Sequence, residues 1–113
     1  MNHRPFEVFC EMIDGLPPEE VLKAAAEEKR MLNEDIASGR TVPSDDTSDI
    51  RSFCRFLEAA FHGRFVLNRS MPMEHWTFYG RTVERLVAAG QLPHKAKEDL
   101  EAANEAAFFR IMA

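Results

Sequence analysis

Apolar residues recur at three- and four-residue spacing in five separate stretches, and glycine or proline punctuates the ends of each. That periodicity commits a chain to amphipathic helices that must bury one stripe apiece. No stretch shows the strict alternation of a half-buried strand. In the first stretch Phe6, Phe9, Cys10 and Ile13 form the stripe. Pro5 suits a first helical turn, and Gly15 predicts a left-handed stop. Pro17 and Pro18 open the second stretch, where Val21, Leu22, Ala25, Leu32 and Ile36 share a face up to Gly39.

Residues 39–48 are polar and contain both glycine and proline, so they predict a loop, with Ser48 or Asp49 capping the third helix. The stripe of that helix is Ile50, Phe53, Cys54, Leu57, Ala60 and Phe61, and Gly63 closes it. After a connector from Arg64 to Met71, Trp76, Tyr79, Val83, Leu86 and Val87 mark the fourth helix. Ala96, Leu100, Ala103, Ala107 and Ile111 mark the fifth. The expected helices are therefore 5–14, 18–38, 49–62, 72–89 and 93–112. Connections this short predict neighbours that run roughly antiparallel, in one all-α bundle spanning residues 1–113.

A chain of 113 residues can bury roughly two-thirds of its unfolded surface and needs no metal or disulfide to fold. Its two cysteines, Cys10 and Cys54, lie on apolar stripes and read as buried hydrophobes. No segment approaches the ~20 apolar residues of a membrane span. The acidic residues that follow so closely on the N-terminus argue against a signal peptide, so the cytoplasm is the expected location.

Charge is distributed unevenly. Residues 1–50 carry 5 basic and 12 acidic side chains, whereas residues 51–90 carry 6 basic and 3 acidic ones. All six of those basic residues are arginines (Arg51, Arg55, Arg64, Arg69, Arg81 and Arg85), and the same block holds seven of the eleven aromatics. On an α-helix of 3.6 residues per turn, Phe78 falls nearly opposite the fourth helix's apolar stripe, in line with Glu74, Arg81 and Arg85. Arg51, Arg55, Glu58 and His62 share the polar face of the third helix. Side by side, these faces would surround a partly exposed ring with guanidinium groups, a combination enriched in binding hot spots. The plainer alternative pairs the arginines with the acidic first and second helices and covers Phe78 with another helix.

Signatures of catalysis are missing: no phosphate loop, nucleophile elbow, CxxC or HExxH occurs. Glu58 and His62 are four apart and His75 can approach them if the helices pair, but no third ligand is supplied by local spacing, and a surface hydrogen bond explains the pair. The run Ser44 to Ser48 reads as a solvated acidic linker rather than a modification site. The final residues, Phe108, Phe109, Ile111 and Met112 among them, are apolar nearly all round the helix. They either dock into the bundle or form an interface.

These features favour a small cytoplasmic interaction or regulatory protein without catalysis or cofactor. It would bind a protein partner through Arg51, Arg55, Phe78, Arg81 and Arg85, through Phe108, Phe109 and Met112, or both, with a homodimer as one form. Nucleic-acid binding by the six arginines is the alternative; overall acidity and the lack of lysine in the block weigh against it. An enzyme or metal site at Glu58, His62 and His75 comes third.

Overall fold

The computed structural model describes residues 5–67 and 71–112, and of residues 108–112 the backbone alone. Five helices follow in order: α1 (Phe6–Asp14), α2 (Pro18–Ala37), α3 (Asp45–Phe61), α4 (Met73–Ala88) and α5 (His94–Met112). No strand occurs among the described residues. The all-α bundle inferred from the apolar spacing is the architecture observed.

Helix ends follow local chemistry. Proline precedes or opens α1, α2 and α4, where a missing N–H costs nothing. At α3 the cap is Ser44, earlier than Ser48 or Asp49. Ser44 Oγ accepts from the Thr47 N–H at 3.3 Å while Thr47 Oγ1 accepts from the Ser44 N–H at 2.8 Å. This reciprocal box adds a turn to α3 and shortens the loop before it. Gly63 closes α3 at φ 74°, with the Arg64 N–H reaching back to the Ala59 carbonyl at 2.8 Å. Gly15 differs from expectation: its φ is −84°, an ordinary helical value. The two prolines that follow turn the chain instead.

α2 packs on α3, α5 on α4 and α1 on α3, and α2 also meets α4. Lys29 faces Glu58 and Asn33 faces Arg51, so α2 and α3 run antiparallel as their short loop dictates. α3 and α4 do not. Asp49 lies by His75, Phe53 by Phe78 and Phe56 by Tyr79, a register that advances in the same sense along both helices. Eleven residues separate Phe61 from Met73. Extended, they reach about 36 Å, more than the roughly 26 Å length of a seventeen-residue helix, so the chain can return to the start of α3 before α4 begins.

Phe53 sits at the centre of the core, fully buried, with ring centroids of Phe9 at 5.7 Å, Phe78 at 4.6 Å and Tyr79 at 5.1 Å. One side chain of α3 thereby joins α1 and α4, in the offset and edge-on geometries that aromatic quadrupoles prefer. Phe56, which the apolar stripe of α3 left out, is also buried and packs against Tyr79 and Phe65. Phe78 and Phe61 aside, the buried set largely follows the stripes, with Leu22, Ile36, Val87 and Ala107 half-covered at its edge.

Leu86 is completely buried. Leu86→Ala should lower unfolding free energy by about 2–5 kcal/mol in denaturant titration. An unchanged midpoint would contradict the register assigned to α4.

Candidate functional site

The arginine–aromatic face does not form, because its members are drawn to three different neighbours. Phe78 is 3% exposed, so the expectation of a partly exposed ring is corrected. It packs on Phe53 and meets the Phe6 ring edge-on at 5.9 Å. The Arg81 guanidinium lies over its outer side, 5.5 Å from the centroid. α4 is buried on two sides, by α1 and α3 on one and by α5 on the other, so Phe78 and the stripe beginning at Trp76 are both core.

Arg81 makes a forked bond to Asp14, with Nε at 3.2 Å and Nη2 at 2.8 Å from the two carboxylate oxygens. Arg85 donates to the carbonyls of Leu16 at 2.5 Å and Ile13 at 3.4 Å. Both therefore close the C-terminal end of α1, where carbonyls lack helical partners and the macrodipole is negative. The other end of α1 is tied by Asp46 of α3, whose Oδ1 accepts the Phe6 N–H at 3.0 Å. Arg51 turns to Asn33 of α2 at 3.3 Å, and Arg55 stays exposed on α3. Arg69 and the side chains of Phe108, Phe109 and Met112 lie outside the described residues.

Glu58, His62 and His75 are not brought together. Glu58 accepts from Lys29 at 2.5 Å, and this bond holds its carboxyl below the usual range. His75 lies towards the opposite end of α3, with its ring 4.3 Å from that of Phe6 and its Nε2 4.0 Å from Asp49. Burial raises the pKa of Asp49, and the nearby Asp45 and Asp46 add to the rise against the opposing pull of His75. Among the described residues no group of three potential ligands could hold a metal ion. Both cysteines are free; burial is the main cause that pushes the thiols of Cys10 and Cys54 up to about 12, far from a nucleophile's range.

One apolar surface does remain open, and the stripes pointed to its residues without showing that it was uncovered. Leu22, Ala25 and Ala26 of α2 face Cys54, Leu57 and Phe61 of α3 across a groove of about 270 Å³. Phe61, expected in the core, is 55% exposed there. Its register is right, four residues after Leu57, but among the described residues no helix covers that end of the pair. Lys23 and Glu58 stand at the edge, and beyond Glu58 a second hollow is lined by Lys29, Arg55, Arg64 and Val66. A contrasting hollow of about 390 Å³ between α1 and α4 has four carboxylates at its border, Glu7, Glu11, Asp14 and Glu74, against the one guanidinium of Arg81 and the imidazole of His75.

No protein-family model, curated protein or solved structure matches the chain.

Phe78→Ala should cost about 3–5 kcal/mol of stability, while Arg55→Ala should change it by less than about 0.5 kcal/mol. Equal, small effects in chemical denaturation would return Phe78 to the surface. The folded protein at pH 8 should also alkylate with iodoacetamide more than about a hundredfold slower than free cysteine, because so little thiolate is present. Rapid labelling without unfolding would contradict the burial described.

Proposed function

We propose that this chain is a small protein-interaction domain, regulatory in role and acting in the cytoplasm, that holds a protein partner in the α2–α3 groove. It performs no covalent chemistry of its own. The observation that carries the proposal is the half-exposed Phe61 ring beside an apolar floor with a cationic border. Single exposed apolar residues are common on proteins, but a large ring continuous with a concave apolar surface is the kind of anchor that dominates binding energy. The surface first suggested by the arginine block is thus replaced by one on the neighbouring helix pair. Against nucleic-acid binding by the arginine block, Arg51, Arg81 and Arg85 each have bonds within the molecule.

A photo-crosslinking phenylalanine analogue placed at residue 61 should capture a discrete protein in the native cell. The same analogue in place of Val42, which is 64% exposed on the loop before α3, should not. Phe61→Glu should abolish partner binding yet shift stability by less than about 0.5 kcal/mol. Indistinguishable crosslinking from the two positions would remove the groove as the site.

A further inference from the structure

The α2–α3 groove, taken together with the hollow that shares Glu58 with it, has a lining of opposite charge to the chain as a whole. The chain carries a net charge of −5. Along the groove and the hollow that adjoins it, the charged lining residues are Lys23, Lys29, Arg55 and Arg64 against one carboxylate, Glu58. That carboxylate is already engaged by Lys29. Lys23 and Arg55 make no ion pair among the described residues. Two antiparallel helices border a trough whose floor is apolar, with Lys23 in its lining and Arg55 in the adjoining hollow.

Resting on the groove as the binding site, we infer that its occupant is an amphipathic α-helix of a partner protein, with an apolar stripe flanked by Asp and Glu. A helix laid between two helices presents anchors at i, i+3, i+4 and i+7, which can meet Leu22, Leu57 and Phe61 in turn. Acidic residues flanking that stripe fall opposite Lys23, Arg55 and Arg64. Electrostatic complementarity of this kind sets orientation and speeds encounter, while the apolar contacts hold the complex. A phosphate backbone would satisfy the cations but would leave the apolar floor and Phe61 without partners.

The test is selection of binders to the intact chain from a displayed library of helical peptides with randomised surface positions. The expected peptides are amphipathic and enriched in Asp and Glu. Their affinity should fall at least tenfold with Phe61→Glu and with the double change Arg55→Glu, Arg64→Glu, and should weaken as salt rises. A lysine-for-glutamate version of a selected peptide should lose binding to the native chain and regain it on the charge-reversed one. Recovered peptides that are basic or extended, but still sensitive to Phe61→Glu, would overturn the acidic helix and leave the groove standing. Peptides indifferent to Phe61→Glu, or no binders at all, would overturn both. Two further measurements complete the test. Light scattering that shows a dimer dissociated by Phe61→Glu would assign the groove to a second copy, and competition of the peptides by single-stranded DNA would assign it to nucleic acid; either result overturns the proposal.

Discussion

The ring of Phe53 holds the bundle together, because α3 reaches both α1 and α4 through it. α1 is only nine residues long, too short to persist alone, so its helicity depends on what it packs against. Phe9 against Phe53 supplies the apolar contact. Asp46 at one end and Arg81 with Arg85 at the other satisfy its free backbone groups and terminal carboxylate. Loss of the central ring would therefore release α1 and α4 together rather than one side chain at a time.

The same arrangement explains why the basic residues of α4 are arginines. A planar guanidinium can fork across both oxygens of Asp14 or bridge the carbonyls of Ile13 and Leu16, whereas an ammonium offers a single point charge. The Arg81 plane also caps Phe78, combining charge pairing and ring contact in one side chain. Much of the arginine content of the middle block is thus spent on joining α4 to α1 and α3 to α2. Among the described residues, Arg55 and Arg64 make no such bonds, and both line the hollow beside the open groove.

Helix number, the stripes and most ends were legible in the sequence because each depends on residues within a few positions of one another. Misplaced features depend on distant ones. Ser44 and Ser48 are both competent caps, and only the side-chain exchange with Thr47 selects the first. Phe78 sits off its helix's main stripe, and its burial follows from α4 being covered on two sides. Phe61 sits on its stripe and is exposed because no other described element lies over that end of α2 and α3. Periodicity identifies which residues share a face; it carries no information on whether another element reaches that face. The antiparallel rule failed at α3 and α4 for a similar reason, since a long connector frees the direction of the next helix.

One phenylalanine of α3 organises the core, and another on the same helix is left at the surface, a contrast in energetic role. Equilibrium unfolding of Phe53→Ala and Phe61→Ala, followed in parallel by far-ultraviolet circular dichroism and by fluorescence of Trp76, the single tryptophan, measures it directly. Phe53→Ala should lose about 3–5 kcal/mol with both probes changing in one transition, while Phe61→Ala should stay within about 0.5 kcal/mol of the native chain. Comparable losses for the two variants would contradict it, as would a Phe53→Ala protein of unchanged stability.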